Sequence, residues 1–593
     1  MELLFGYVDQ VLIFVVFALS LNLLLGYTGQ ISVAHAAFGA IGGYTLAYLS
    51  LHSHVPAVAG VALGILFAGL AGFLVGVPAL RLKAEWLILL TLSVQIIVNL
   101  SVATSRPLGG TYGLQDVTGL SFFGRPLVNP SDMALPFAVC ALLVLAICCR
   151  LGESPYGRVL RGIREDEIAC RSLGKRVFVY KLTAFSLSAA LAGLAGAMLV
   201  IETEIAAPKQ FLFDVSSAIV AMVVVGGSGS IFGPVVGVLL LSVLGPLLER
   251  VLNLGADAAF TWRLVAYGAA LVAIVMLRPA GLVPDAMTRR LGGLLRRSDG
   301  TGATSASRQS AFEVSPLSVA RTSPAAYGAA APVASASGEA VVAVRGLSKH
   351  FGGIRAVENL TLELRSHSIT ALVGPNGAGK TTVFNLLTGA IRADGGTVEL
   401  RGRDISGLPP DAVARLGMAR SFQDVRIFPR LSALENVLLG IGNQPGEHLW
   451  PLFARPRLVA QAERAGKERA HEWLRFVGMA QQADVPAGAL AFGEQKLVAL
   501  ARVLATEADV VLLDEPASGI DVHWVDAMLG LIDRLRTQGR TICLVEHNLH
   551  VVERLADRTC FMELGRITAQ GSFAELTADR RLAEAYFGTG AGA

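Results

Sequence analysis

What most constrains this chain is the run of long apolar stretches that fills residues 1–280. A helix crossing a bilayer needs about 20 mostly apolar residues, because no water is available inside to satisfy an open backbone. Stretches of that kind lie near 8–25, 31–51, 56–80, 86–103, 133–150, 180–201, 211–228, 229–250 and 261–278. Glycines at 31–43 and 226–233 permit broken or re-entrant helices, so eight or nine spans are expected. Residues 341–593 read differently, as an ordinary soluble α/β domain. The whole chain of 593 residues is too long for one core, and 53% hydrophobic with only 16% charged residues is outside the soluble range.

Charge and cysteine content exclude other classes. A net charge of +4 is small for this length and points to no nucleic-acid partner. The six cysteines show no CxxC spacing, which argues against a zinc site or a disulfide framework. The opening MELLFGYVDQ has no positive leader region, so the first apolar run reads as a span within membrane lipid rather than a cleaved signal. Arg150, Arg158, Arg161, Arg164, Arg171, Lys175, Arg176 and Lys181 gather in one connection, and Arg81 and Lys83 in a short turn. The positive-inside rule makes both cytoplasmic, with the N-terminus outside and residue 280 inside.

Three stretches of this half carry polar or glycine patterns: GYTGQISVAHAAFGAIGGY (26–44), SPYGRVLRGIREDEIACRSLGKRVFVYK (154–181) and VVVGGSGSIFGPVVG (223–237). Gln30, Ser32 and His35 either line a pathway or make interhelical hydrogen bonds. The 226–233 glycines read as sites of close helix packing. With RLKAEWLILLTL (81–92), GGTYGLQDV (109–117) and MLRPAGLVP (276–284), these stretches closely resemble the M-type (LivM-like) permease family of branched-chain amino-acid importers. The resemblance covers nearly all of residues 10–285. It implies uptake of small polar solutes delivered by a periplasmic binding protein, and a coupling helix in REDEIACRSLG (164–174) that docks on an ATPase.

Residues 296–340 are Ser, Ala, Gly and Thr with scattered prolines, a composition that cannot bury enough surface to fold. They are expected to act as a tether with a reach of about 35–40 Å.

Beyond it, GPNGAGKT fits GxxxxGK[ST], with an apolar strand ITALV before it and a helix-like TTVFNLLTG after it. Backbone N–H groups of Gly374, Pro375, Asn376, Gly377, Ala378 and Gly379, apart from the proline, would wrap the phosphates of ATP. Lys380 would reach the β- and γ-phosphates, Thr381 would ligate Mg²⁺, and Thr382 is counted with them among the nucleotide-binding residues. VVLLDEP (510–516) supplies a buried strand ending in Asp514, a second Mg²⁺ holder, and Glu515, which would polarise the attacking water.

The remaining motifs resemble the ABC ATPase family over residues 341–588. By that resemblance Phe351 stacks on adenine, Gln423 is the Q-loop residue contacting Mg²⁺ and water, and SGID (518–521) is the D-loop. His547 is then the switch histidine that contacts the γ-phosphate. LAFGEQK (490–496) holds the signature position, with Ala491 and Phe492 where the LSGGQ consensus has serine and glycine; Gly493 and Glu494 complete the nucleotide-facing set. LAFGEQ fits the G-type (LivG-like) subfamily of branched-chain amino-acid importers.

The expected fold class is therefore a polytopic all-α membrane domain of eight or nine spans (1–285), a flexible disordered linker (286–340) and an α/β P-loop ABC ATPase domain (341–593). The resemblance implies a half-transporter in the bacterial inner membrane that needs a partner, because each composite ATP site uses the signature of a second ATPase. That partner is an H-type permease with an F-type ATPase, or a homodimer mate. The alternatives are a half-size ABC exporter and an importer of urea or amides.

Overall fold

The computed structural model describes residues 2–53, 55–82, 84–117, 121–122, 125–126, 130–252, 256–278, 281–283 and 338–578. Lys83, residues 286–337 of the expected tether and the last fifteen residues of the expected ATPase domain, 579–593, lie outside the described residues. The chain forms two compact units, Met1–Arg164 with Val177–Ala306, and Glu165–Arg176 with Ser307–Ala593. The boundary thus differs from a single cut near residue 285, because the twelve residues 165–176 group with the C-terminal part of the chain.

The first unit is helical. Its elements are α1 (Glu2–Leu21), α2 (His35–Ser53), α3 (Ala57–Ala79), α4 (Ala84–Thr104), α5 (Pro130–Gly152), α6 (Pro155–Glu165, ending in the other unit), then, after α7 (Glu167–Ser172) of the other unit, α8 (Val177–Thr203), α9 (Phe213–Gly226), α10 (Gly233–Leu252) and α11 (Ala256–Leu277). Six helical stretches among the described residues are long and apolar enough to cross a membrane: Gly6–Gly26, Ala57–Ala79, Glu85–Thr104, Asp132–Gly152, Val177–Thr203 and Pro208–Gly226. Gly233–Leu244 and Val265–Leu277 are apolar but shorter. Leu66, Ile97 and Leu142 are each about 60% exposed on the outer faces of α3, α4 and α5, the reverse of a soluble helix and right for lipid contact.

Glycines let these helices touch backbone to backbone. A β-carbon on Gly42 of α2 would stand 2.1 Å from the carbonyl oxygen of Gly193 in α8, and one on Gly196 would stand 2.0 Å from that of Gly39. Gly226 and Gly237 pack as closely across the α9–α10 break. That break meets a π-helical turn, Asn22–Gly26, at the end of α1. The Asn22 side-chain amide donates to the carbonyl of Ser230 at 2.8 Å and accepts from the N–H of Gly229 at 2.9 Å, so one side chain satisfies two groups of the irregular 229–230 backbone. Arg164 donates to the Gly26 carbonyl of the same turn.

The second unit is an α/β fold. Its elements are β1 (Ala340–Phe351), β2 (Ile354–Arg365), β3 (Ile369–Val373), α12 (Lys380–Leu387), β4 (Gly395–Leu400), β5 (Arg403–Asp404), α13 (Pro410–Arg415), β6 (Met418–Arg420), α14 (Ala433–Gly440), α15 (Leu449–Ala454), α16 (Pro456–Phe476), α17 (Phe492–Leu504), β7 (Val510–Asp514), α18 (Val522–Thr537), β8 (Thr541–Val545), α19 (Leu549–Leu555), β9 (Arg558–Glu563), β10 (Arg566–Gly571) and α20 (Phe573–Ala578). One sheet runs β10-β9-β3-β8-β7-β6, and a second, antiparallel one runs β2-β1-β4-β5. In the first, β9, β3, β8, β7 and β6 are parallel. β3, β7 and β8 are buried at all five positions, which is why they read as unbroken apolar runs instead of alternating ones.

Candidate functional site

Register places the motifs at one edge. Val545 of β8 pairs with Leu372 of β3 and with Asp514 of β7, so three strands end together, and β6 ends one strand further out at Arg420. The loops after them hold the 374–381 motif, Glu515, His547 and Gln423. This is the carboxyl edge of a parallel sheet, where ligands of such folds bind.

The 374–379 loop needs its glycines. Gly374 and Gly379 have φ of +154° and +100°, and a β-carbon on either would stand about 2.1–2.2 Å from the carbonyl oxygen of Met562 or Ala356. Pro375, Asn376 and Gly377 are exposed, Ala378 is buried, and α12 opens at Lys380 with Thr381 exposed and Thr382 half-buried. Lys380 Nζ donates to the carbonyls of Gly374 and Pro375 at 2.7 and 2.9 Å. Burial lowers its pKa, opposed by the carboxylates of Glu515 and Asp514. Phe351, 45% exposed, ends β1 opposite Ile354, two residues before the Ala356 that meets the loop at Gly379.

Glu515, Gln423 and His547 converge. Gln423 Nε2 donates to Glu515 Oε2 at 3.0 Å, and His547 Nδ1 lies 3.6 Å from Glu515 Oε1. Asp514, one residue earlier, is buried; Oδ2 accepts from Arg420 Nη2 at 2.7 Å, while Oδ1 has no hydrogen-bond partner. Burial raises its pKa, with the Arg420 guanidinium opposing. A buried carboxylate oxygen left unpaired fits a hard divalent cation that brings its own waters and phosphate oxygens. Among the described residues no group of three or more His, Cys, Asp or Glu side chains could hold a metal without such help.

In the signature, Ala491 and Phe492 are exposed; Ala491 is the N-cap of α17 and Phe492 its first residue. Glu494 accepts from the Ala491 N–H at 3.0 Å, and a β-carbon on Gly493 would stand 3.1 Å from the Trp524 ring. The segment Glu165–Arg176, which carries α7, packs within this same unit. Asp166 caps α7 by accepting from Ala169 N–H at 2.8 Å, and accepts from Arg426 Nη1 at 3.1 Å. Lys175 donates to Glu447 at 2.5 Å and to the Ile441 carbonyl at 3.0 Å, both side chains being nearly buried.

Residues 3–277 match the family described as branched-chain amino acid transport system / permease component, and residues 357–518 match the ABC transporter family. The second half is 38% identical over 249 residues to the high-affinity branched-chain amino acid transport ATP-binding protein LivG of Salmonella typhimurium, covering 42% of this chain and 98% of that protein. The chain belongs to the branched-chain amino-acid family of ABC transporters. BraF of Pseudomonas aeruginosa, also a high-affinity branched-chain amino acid transport ATP-binding protein, is 36% identical over 250 residues, with 42% and 98% covered. A nucleotide-free ATP-binding cassette from an ABC transporter is 27% identical at a TM-score of 0.37, covering 42% of this chain and 99% of that one.

Permease and ATPase of this ABC transporter thus share one polypeptide, and its second unit is an ATP-hydrolysing cassette. Sequence reasoning missed three of its residues. Arg420 holds Asp514 and lies over the rings of Phe384 and Phe422; Glu546 is fully buried and accepts from Ala517 N–H at 3.1 Å; Lys496 donates to the Glu515 carbonyl at 3.1 Å. Of the 164–174 run, Arg164 groups with the first unit and the rest with the second, where Lys175, one residue beyond the run, makes the buried ion pair with Glu447. α2 of the transporter starts at His35 instead of residue 31, so Gln30 and Ser32 sit in the irregular segment before it. His35 Nε2 lies 3.0 Å from Ser188 Oγ, while its Nδ1 and both amide atoms of Gln30 are buried without partners. The Ser32 hydroxyl accepts from the Ala34 N–H at 3.4 Å.

Proposed function

We propose that this protein is the permease-plus-ATPase half of an importer for branched-chain amino acids or similar small polar solutes delivered by a periplasmic binding protein. One observation carries the coupling: Gln423 donates to Glu515, and Arg426, three residues along the same loop, donates to Asp166 of the segment between α6 and α8. A rearrangement at the nucleotide thus has a short route, three residues of chain and one hydrogen bond, to a segment that continues directly into a permease helix.

In this reading the 374–379 loop and Lys380 hold the phosphates, and Phe351 stacks on the adenine. Thr381, Gln423 and Asp514 hold Mg²⁺, which neutralises phosphate charge when bound. Glu515 takes up the proton of the attacking water, and His547 steadies both that carboxylate and the γ-phosphate. Ala491, Gly493 and Glu494 face the nucleotide of a second cassette, so an H-type permease and F-type ATPase complete the assembly in the inner membrane. The N-terminus lies outside and the ATPase in the cytoplasm. The Arg164–Gly26 hydrogen bond supports that orientation, since it puts the end of α1 beside the basic connection. Gln30, Ser32 and His35 line the pathway, a reading supported by the unpartnered atoms of Gln30 and His35.

The test is uptake into proteoliposomes holding the chain and its partner subunits, with the binding protein and radiolabelled leucine outside and ATP inside. Accumulation that needs all of these is expected. Strictly outward flux would favour the exporter, and full uptake by the chain alone would refute the heteromer. Transport and selectivity unchanged after alanine at 30, 32 and 35 would remove the pathway assignment.

A further inference from the structure

Glu515 sits in an unusual place for a residue with a side chain. Its φ is +46°, in the left-handed region, and a non-glycine residue stays there only where its surroundings hold it. Its N–H donates to the Val545 carbonyl at 2.9 Å, and its own carbonyl accepts from Ser518 N–H at 3.2 Å. The stronger hold comes from Lys496, on α17 just past the signature. Lys496 Nζ donates to the carbonyls of Glu515 at 3.1 Å, Pro516 at 3.4 Å and Ser518, with the Phe492 ring 5.5 Å away. The opposite polarity of the same turn is met by Glu546. One of its oxygens accepts from Ala517 N–H at 3.1 Å and the other from His547 N–H at 3.2 Å. Both side chains are buried, and they attract each other. The 515–518 turn is thus held by a cation through its carbonyls and by an anion through an N–H.

We propose that Lys496 and Glu546 are positioning residues that aim the Glu515 carboxylate, and that Lys496 makes this aim depend on where the chain's own signature helix sits. A shift of α17 carries the ammonium with it and releases the Glu515 carbonyl, so a backbone that is unfavourable on its own relaxes. Glu546 ties His547 to the same turn, so the two side chains that flank the reacting water move as one. Phe492, which departs from the consensus glycine, roofs the ammonium and keeps water from competing for it. The inference rests on Glu515 being the residue that activates water.

The experiment uses the full chain assembled with its partner subunits in nanodiscs, measuring MgATP turnover, its KM and the affinity for a fluorescent ATP analogue. K496M and E546Q are expected to lower kcat about 10- to 100-fold while KM and analogue affinity stay within about twofold, since loop aim and not phosphate binding is lost. K496R, which keeps the charge and several donors, should recover most of the rate. Unchanged kcat in K496M, or kcat and affinity falling together without rescue by K496R, overturns the proposal. If K496M does not fold, E546Q decides by the same split. An E515Q control separates the two readings. Turnover surviving in E515Q overturns the assignment of Glu515 and this inference with it; turnover lost in E515Q but intact in K496M overturns this inference alone.

Discussion

Replacing Lys175 by methionine should uncouple the transporter without emptying its nucleotide site. The Lys175–Glu447 pair is 2.5 Å long, with side chains only 3% and 10% exposed. Breaking a buried ion pair by removing one member costs about 3–5 kcal/mol, or roughly two to nearly four powers of ten in the docking of Glu165–Arg176. Both halves lie on one chain, and an effective concentration on the order of millimolar offsets part of that loss. We therefore expect binding-protein-stimulated uptake to fall at least about tenfold in K175M, with ATP affinity unchanged. The double variant K175M/E447L replaces the ion pair with apolar groups and should recover much of the uptake, because a packed apolar pair is near neutral relative to a buried ionic one. Uptake and ATPase activity measured on the same proteoliposomes decide it. Uptake within twofold of wild type in K175M, or a double variant that simply adds the two single losses, would refute the reasoning.

K380A should weaken binding of a fluorescent ATP analogue by about tenfold or more, as the cation that faces phosphate is lost. D514N should leave that binding measurable but raise the Mg²⁺ concentration needed for half-maximal turnover by about tenfold, read by titration against EDTA. G42V should block assembly of the membrane unit, seen as aggregation in size-exclusion chromatography in detergent, because its β-carbon would stand 2.1 Å from the Gly193 carbonyl oxygen; G6V, with nothing within 4 Å, should not.

How much of this was legible depends on how far apart the partners lie in sequence. The phosphate loop could be read because strand, glycines, lysine and helix fall within some twenty consecutive residues, 369–389. Asp514 and Glu515 could be read from the apolar strand before them. Arg420 could not, since the carboxylate it serves is 94 residues away, nor could Lys496, whose turn lies 19–22 residues downstream on another element. Nothing local marks a lysine in an amphipathic helix as buried. In the membrane half, apolar length located the helices, but Gly, Ser and His blurred the start of α2. The pairing of Asn22 with the 229–230 backbone was invisible because it joins two breaks more than 200 residues apart.

The interleaving of the two units along the sequence has a practical consequence for anyone dissecting the protein. A cut near residue 300 does not yield a permease and an intact ATPase unit, because residues 165–176 leave with the wrong fragment. The severed C-terminal piece would expose the trough around Ile441 and Glu447 to water, with Glu447, Arg415 and Arg426 deprived of their Lys175, Gly174 and Asp166 partners. A synthetic dodecapeptide of that sequence, supplied in trans, is the natural additive for keeping such a piece in solution.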